Sequence, residues 1–370
     1  MQIELPISKS IANRLLILQA IHGDELMPVS DTFPDDVLLL HRALTTLKTF
    51  KTHSTPRLNV GNCGTAMRFL TAYCAQLGGQ TTILDGVERM HHRPIGQLVD
   101  ALREIGAQIE YLGEEGFPPL RITGCALDKY RIVRIDNSLS TQFVSALLLI
   151  GANVQTNSSS PYISITRAII QYYTTLHNTT PHYTIEKDWS SAAFWYEHIA
   201  LHGGEIELPG LFKNSIQGDK VVADIFALLG VQTHYTADSI IIFKAINNNL
   251  AERGRELIAA QAVDVVVNNQ NSGNLIVDGS LHQDFSSCPD LYPAVALTCE
   301  RLGITLHATG TESLSIKESD RIRAVREHLT DHDHRMAMAL LVAGYPVDDT
   351  SCIAKSYPQF LEQWQTMQNS

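Results

Sequence analysis

Apolar residues recur along this chain in short bursts at helical spacing, and several bursts run into a brief alternating stretch. Residues 99–107 (VDALREIGA) gather apolar side chains on one helical face, stop at Gly106, and lead into Gln108-Ile109-Glu110-Tyr111, which alternates as a strand does. Residues 221–231 (VVADIFALLGV) repeat the pattern before Gln232-Thr233-His234-Tyr235. Looser copies are residues 38–47 before Lys48-Thr49-Phe50, and residues 169–176 before residues 182–185. The irregular spacing excludes a solenoid. Repeated helix-plus-strand units predict α/β domains with helices packed on sheets. Further helices are expected over residues 10–20, 64–77, 141–150, 292–298 and 324–329. Asn247-Asn248-Asn249 and residues 268–272 read as polar turns or loops. No low-complexity linker interrupts the chain, so the crossings between domains should be short.

A length of 370 residues suits about two domains, each able to bury its own core. With 44% hydrophobic and 18% charged residues the chain is not of the disordered class. Lys and Arg number 28 against 39 Asp and Glu, a net charge of −11 that disfavours nucleic acid and anionic lipid as partners. Apolar runs stay shorter than the roughly 18 residues of a membrane span. The first residues, Met1-Gln2-Ile3-Glu4-Leu5-Pro6, lack the basic-then-apolar pattern of a signal peptide. The expectation is a soluble, cytoplasmic protein with no membrane partner. The six cysteines are scattered and read as reduced, buried thiols. In so acidic a chain, an anionic ligand has to be held by a local cluster of cations.

Such clusters occur at helix starts. Lys9-Ser10 with Arg14 follows an extended segment, where free N–H groups and the helix dipole favour a phosphate or carboxylate. Asn62-Cys63-Gly64-Thr65 with Arg68 has the same design, Gly64 letting backbone approach a ligand. Arg89-Met90-His91-His92-Arg93-Pro94 concentrates cations before another helix, and Ser138-Leu139-Ser140-Thr141-Gln142 offers hydroxyls and an amide. Taken singly, each also reads as an ordinary cap or solvated loop. Farther on, Lys317-Glu318-Ser319-Asp320-Arg321 and Asp333-His334-Arg335 alternate charges as surface salt bridges do. Asp290 precedes an apolar helix as an N-cap would, and Lys355 stands alone. His332 and His334 lack companions to complete a metal site, so no metal is expected. Together these residues equip a net-acidic chain to bind two anionic substrates and move protons between them.

The same residues lie in stretches that resemble the 5-enolpyruvylshikimate-3-phosphate (EPSP) synthase family. In chain order the stretches are LPISKSIANR (5–14), GNCGTAMRFLTA (61–72), DGVERMHHRPIGQLVDALREIGA (85–107), SLSTQFVSALLL (138–149), SSPYISIT (159–166) and KDWSSAAFW (187–195). NSIQGD (214–219), CPDLYPAVA (288–296), IKESDRIRA (316–324), DHRMAMAL (333–340) and AKSYPQF (354–360) complete them. The resemblance implies an enzyme of the shikimate pathway, in aromatic amino-acid biosynthesis. It transfers the enolpyruvyl group of phosphoenolpyruvate to the 5-hydroxyl of shikimate 3-phosphate through a tetrahedral intermediate, releasing phosphate without metal or cofactor. It also implies a monomer of two domains built from βαβαββ repeats, with the site in the cleft between them. The domains would be residues 9–187, and residues 1–8 with 188–370. By matching position, Lys9, Asn62, Gly64, Arg93, Gln142, Arg321, Arg335 and Lys355 would surround phosphoenolpyruvate. Lys9, Ser10, Arg14, Ser140, Thr141, Gln142, Ser159, Tyr162, Asp290 and Lys317 would hold shikimate 3-phosphate. Asp290 would take the hydroxyl proton, with Glu318 and Lys9 handling the proton at the methylene carbon. The related transferase acting on UDP-N-acetylglucosamine generally carries a Cys in the loop matching residues 86–94, and none stands there.

The resemblance also has gaps. Only residues 322–332 separate Arg321 from Asp333, where the family carries a further βαβ-like stretch, and a second shortening precedes Asn62. Either loss predicts a sheet with an exposed edge. The shortening also motivates the alternative of an impaired member that binds the ligands without turnover. Residues 252–284 form a longer stretch than the family's usual one. Ser313 stands where an Asn commonly contacts shikimate 3-phosphate, Ser315 where an Arg is usual, and Phe69 where a Pro follows the GTAMR stretch. The bulk of Phe69 beside Arg68, with Cys63 in the same loop, bears on the fit of inhibitors resembling phosphoenolpyruvate, glyphosate among them.

Overall fold

In a computed structural model, residues 1–49, 54–135, 141–157, 160–176, 184–245, 275–277 and 279–369 are described. The chain divides into a first unit, Lys9–Ile185, and a second formed by Met1–Ser8 with Glu186–Ser370.

The first unit runs α1 (Lys9–His22), α2 (Asp35–Thr49), β1 (Arg57–Asn59), α3 (Gly64–Ala75), β2 (Thr81–Asp85), α4 (Gly96–Glu104), β3 (Gln108–Tyr111), β4 (Leu120–Thr123), β5 (Ile132–Arg134), α5 (Thr141–Leu149), β6 (Asn153–Gln155) and α6 (Pro161–Leu176). Its larger sheet has the order β1-β2-β4-β3. β1 and β2 are parallel across the α3 crossover, and β4 is antiparallel to both β2 and β3. From β1 to β4 the elements therefore follow the order βαβαββ. β5 and β6 pair in parallel across α5. The apolar face of α1 (Ile11, Leu15, Leu18) is buried, and α1, α3, α5 and α6 pack together. The helices that start with the candidate residues are thus anchored by their own cores.

The second unit contains α7 (Trp189–His202), β7 (Glu205–Pro209), α8 (Val222–Leu228), β8 (Val231–Tyr235), β9 (Ser239–Lys244), β10 (Leu275–Val277), β11 (Ser280–Asp284), α9 (Tyr292–Leu302), β12 (Thr305–Thr309), α10 (Arg321–Glu327), α11 (His334–Val342) and α12 (Phe360–Gln368). Its sheets have the orders β7-β9-β8, all antiparallel, and β10-β11-β12. β11 and β12 are parallel across α9. The chain's N-terminal residues lie beside β7, with Ile3 N donating to Glu207 O at 2.9 Å.

Several expected boundaries shift for local reasons. Lys48 and Thr49 continue α2 instead of forming a strand. The hydroxyls of Thr45 and Thr49 donate to carbonyls one turn back at 2.9 and 3.0 Å, and Lys48 Nζ reaches Asp24 O at 3.0 Å. A Lys in the last turn also suits the helix dipole. α4 begins at Gly96, three residues early; α8 begins at Val222, after the 3₁₀ turn Gly218–Val221, and ends at Leu228, because Leu229 caps it and Gly230 (φ 89°) turns the chain into β8. Thr184 and Ile185 are not in a strand. Phe50, residues 182–183, Asn247-Asn248-Asn249 and residues 268–272 lie outside the described residues.

The shortened connection is short in space as well. α10 starts at Arg321, where the Asp320 side chain caps Arg323 N, and ends at His328 with φ 52°. Asp331 (φ 49°) and His332 (φ 56°) also adopt the left-handed conformation, which favours glycine. Side chains tie this turn down: His328 Nε2 to Glu300 at 2.9 Å, His332 Nδ1 to Asp349 at 2.7 Å, Arg323 to Asp331, and Thr330 to Asp348. The chain then enters α11 directly. Among the described residues β12 pairs with β11 alone, leaving its other edge open.

α7 is apolar nearly all round, burying Trp189, Phe194, Trp195, Tyr196 and Ile199. Amid them Glu197 is 0% exposed, and neither carboxylate oxygen has a hydrogen-bond partner among the described residues. Burial pushes its carboxyl well above the ordinary range, so the folded state keeps the proton. With the folded pKa raised, stability is greatest below the unfolded pKa and falls as pH rises toward the folded one. Glu197→Met is expected to stabilise the protein by about 1–3 kcal/mol. The gain should be larger in alkaline than in mildly acidic urea titrations. An equal gain at both would show that Glu197 does not titrate in this way.

Candidate active site

The first unit presents its polar residues in three groups. Lys9, at the start of α1, pairs with Asp36 of α2 at 3.0 Å. Arg14, one turn on, is buried; its Nε donates to Thr166 Oγ1 at 2.7 Å, and Nη1 to Ser10 O at 2.7 Å. Its Nη2 reaches Ser145 Oγ and Tyr162 O, both at 3.1 Å. These partners are neutral, and burial lowers the Arg14 guanidinium to about 10. The Phe69 ring lies 5.4 Å from Arg14 Cζ. The residue that departs from the family pattern thus packs against a candidate binding cation rather than projecting elsewhere.

The third group surrounds the start of α3, which is capped by Cys63 Sγ accepting from Ala66 N. A Cβ on Gly64 would lie 2.2 Å from Arg68 Nη1 and 2.7 Å from Arg93 Nη2, so only glycine admits both guanidiniums. Arg93 Nη1 donates to Asn62 O at 3.1 Å, and its buried Nε makes no hydrogen bond among the described residues. Gln142 Nε2 reaches Thr65 Oγ1 at 2.9 Å, bringing the start of α5 to the same place. Two guanidiniums beside the start of a helix are a donor set chemically suited to an anion. The loop carrying Arg93 is held by Asp85, which accepts from Gly86 N and from His91 Nε2, each at 2.8 Å. Thr141 opens α5 and Tyr162 lies in the first turn of α6. Ser138, Ser140 and Ser159 lie outside the described residues.

The second unit brings six candidate residues into one lattice. Asp290 sits in the 3₁₀ turn Pro289–Leu291 before α9. It takes Arg321 Nη1 at 2.8 Å, Arg335 Nη2 at 2.9 Å and Lys317 Nζ at 3.6 Å. Glu318 takes Lys355 Nζ at 2.9 Å and Arg321 Nη2 at 3.3 Å. Arg321, 1% exposed, also donates Nε to Asp333 Oδ2 at 2.8 Å. Asp333 accepts from Ser319 Oγ at 3.1 Å and caps α11 through Arg335 N at 2.9 Å. Burial alone would raise the Asp290 carboxyl, but the charges of Arg335, Lys317 and Arg321 overcome it and hold it well below the usual range.

Two acids here were given no role by the sequence, although both stand in family-like stretches. Asp219, bonded to Ser190, is raised to about 7 by burial and by the charge of Asp290, against the pull of Arg335. Asp188 caps α7 and takes Ser191 Oγ at 2.9 Å. Among the described residues no cluster of His, Cys, Asp and Glu could hold a metal ion; His334 is buried and His332 pairs with Asp349. Nor is any helix among them long and apolar enough to cross a membrane.

A family model described as EPSP synthase (3-phosphoshikimate 1-carboxyvinyltransferase) matches residues 1–364. This chain belongs to the EPSP synthase family. The 3-phosphoshikimate 1-carboxyvinyltransferase of Bacteroides fragilis is 35% identical, the match covering 97% of this chain and 93% of the relative. That of Vibrio cholerae is 30% identical over 98% and 96%. An EPSP synthase structure from Acinetobacter baumannii shares the fold, with a TM-score of 0.65, 19% identity, and 99% and 95% coverage. The two-domain α/β fold expected from the resemblance is thus the fold of this family member. The Bacteroides alignment runs over 418 positions, more than the 370 residues of the chain, so that relative carries internal segments absent here.

Proposed function

We propose that this EPSP synthase family member transfers the enolpyruvyl group of phosphoenolpyruvate to the 5-hydroxyl of shikimate 3-phosphate, releasing phosphate. The observation that carries the reading is the family match across residues 1–364. The lattice around Arg321 is in keeping with it: two carboxylates stand among four cations, suiting proton transfer beside bound anions. Arg321, Arg335, Lys355, Asn62, Gly64, Arg93, Gln142 and Lys9 bind phosphoenolpyruvate. Lys9, Ser10, Arg14, Ser140, Thr141, Gln142, Ser159, Tyr162, Asp290 and Lys317 bind shikimate 3-phosphate. Asp290 accepts the hydroxyl proton as oxygen attacks the enol carbon, while Glu318 and Lys9 serve the methylene carbon. Loss of that carbon's proton then expels phosphate. The shortened connection leaves Arg321, Asp333 and Arg335 bonded together.

Phosphate release from phosphoenolpyruvate by the purified chain tests the reading. Release should require shikimate 3-phosphate and vanish in Arg335→Ala, which controls for contaminating enzyme. Release independent of shikimate 3-phosphate, or none from folded protein, would refute it. A smaller effect follows from the ring beneath Arg14. Phe69→Leu removes a cation–π contact and is expected to raise KM for shikimate 3-phosphate about two- to fivefold. KM for phosphoenolpyruvate should hardly change, and an effect confined to it would place Phe69 elsewhere in the mechanism.

A further inference from the structure

In the second unit β11, α9, β12 and α10 repeat the opening of the complete βαβαββ unit, β1, α3, β2 and α4. In each case the two strands are parallel across a helix. The first unit then adds β3 and β4, and β4 pairs antiparallel with β2 on the edge away from β1. After α10 the chain instead turns through residues 328–332 into α11. The strand this repeat lacks is therefore the one that would cover β12. Among the described residues β12 packs on β11 and α9 and pairs with β11 alone. Phe285 N donates to Thr309 O at 2.8 Å, so Thr305, His307 and Thr309 turn their main-chain groups toward β11. Leu306 and Ala308 turn theirs to the open side, where no hydrogen bond engages them among the described residues. The edge carries no charge, no proline and no bulge, the features that usually protect an exposed strand.

We propose that a second copy of this chain supplies the missing antiparallel strand, β12 pairing with β12 about a two-fold axis at His307. That register pairs all five residues of the strand. Leu306 exchanges main-chain hydrogen bonds with the partner subunit's Ala308, and Ala308 with the partner subunit's Leu306. His307, whose ring stacks on His282 with centroids 4.5 Å apart, meets its own copy at a non-hydrogen-bonded site, where Cα atoms lie about 4.5 Å apart. Thr305 faces the partner subunit's Thr309 on the exposed side, a favourable cross-strand pair. Leu306 and Ala308, packed against the core, extend the apolar side across the junction. The antiparallel arrangement also brings exposed Arg301, just before β12, toward exposed Glu312, just after the partner's strand, once on each side of the axis. The other acids near the strand ends are met within the protomer. Glu300 takes His328 at 2.9 Å and Tyr345 at 2.6 Å, and Asp284 takes Ser286 N and Oγ, each at 2.9 Å. Because a two-fold pairing uses the same edge of both copies, the assembly closes as a dimer.

Sedimentation velocity of the full chain over a concentration series tests this, with far-UV circular dichroism of each variant as the check on folding. The wild type should pass from monomer to dimer as concentration rises. His307→Asp and His307→Lys each set like charges face to face and should weaken self-association at least about tenfold. An equimolar mixture of the two variants should restore it, because opposite charges then meet at the axis. Ala308→Pro removes an N–H directed at the partner while sparing the ladder to β11, and should abolish the dimer. A wild type that stays monomeric would overturn the proposal, and slow amide exchange at Leu306 and Ala308 in that monomer would show the edge covered from within the chain. A dimer that survives all three variants, or a mixture that fails to reassociate, would overturn it as well. None of these outcomes bears on the transferase reading, which phosphate release tests separately.

Discussion

Asp333→Ala is expected to destabilise the second unit by about 3–5 kcal/mol, because it breaks a buried ion pair from one side only. Arg321 is 1% exposed and Asp333 0%, so water cannot replace the lost partner. Arg321 would keep Asp290 and Glu318, but its Nε would face a void. The same substitution removes the cap on Arg335 N, a loss of about 0.5–2 kcal/mol in comparable helices. All three tryptophans, Trp189, Trp195 and Trp364, lie in this unit, so their fluorescence in urea reads its unfolding directly. Asp333→Asn, which preserves the cap, should lose less. Equal stability of Asp333→Ala and wild type would mean that the pair is not formed in solution.

Asp290→Asn is expected to lower kcat about 10²- to 10⁴-fold, the usual range for a general base. The amide can still accept from Arg321, but it cannot take the hydroxyl proton. Phosphate release under saturating substrates measures the loss, and an unchanged kcat would remove Asp290 from the proton path. Its pH signature has a definite sign. The Asp290 carboxyl is held below its ordinary value, so its stabilisation is present above the unfolded pKa. It fades only as pH falls through the folded pKa. The stability difference between wild type and Asp290→Asn should therefore be constant near neutrality and shrink in strong acid.

What the sequence revealed depended on distance along the chain. The loops at the helix starts were legible because their logic is local: Gly64 and Thr141 open the helices expected there, and α1 opens at Lys9, one residue before its expected start. The strand Gln108–Tyr111 kept its alternating pattern and its boundaries. Partners brought from afar were not legible. Asp36 lies 27 residues from Lys9, and nothing in its own helix marks it as the lysine's counter-ion. Asp219 reaches Ser190 across 29 residues, so its raised carboxyl is a property of packing. Lys48 and Thr49 defeated the periodicity because a helix end is decided by side-chain bonds to carbonyls, which hydrophobic spacing does not encode. The charge runs around Arg321 resembled surface salt bridges in one dimension, and only the fold buries them.

The turn from His328 to His332 has a consequence for how the chain folds. Because α10 leads almost directly into α11, the Arg321–Asp333 contact closes a loop of only 12 residues. Each doubling of such a loop costs about 0.6 kcal/mol of closure entropy, so a relative with a fourfold longer connection gives up about 1.2 kcal/mol more. The short route has its own penalty in three left-handed residues that are not glycine, a conformation costing roughly 1–2 kcal/mol each before its hydrogen bonds are counted. Shortening thus exchanges chain entropy for backbone strain. It also turns a long-range pairing into a nearly local one, which can form before the distant strands of the unit have met.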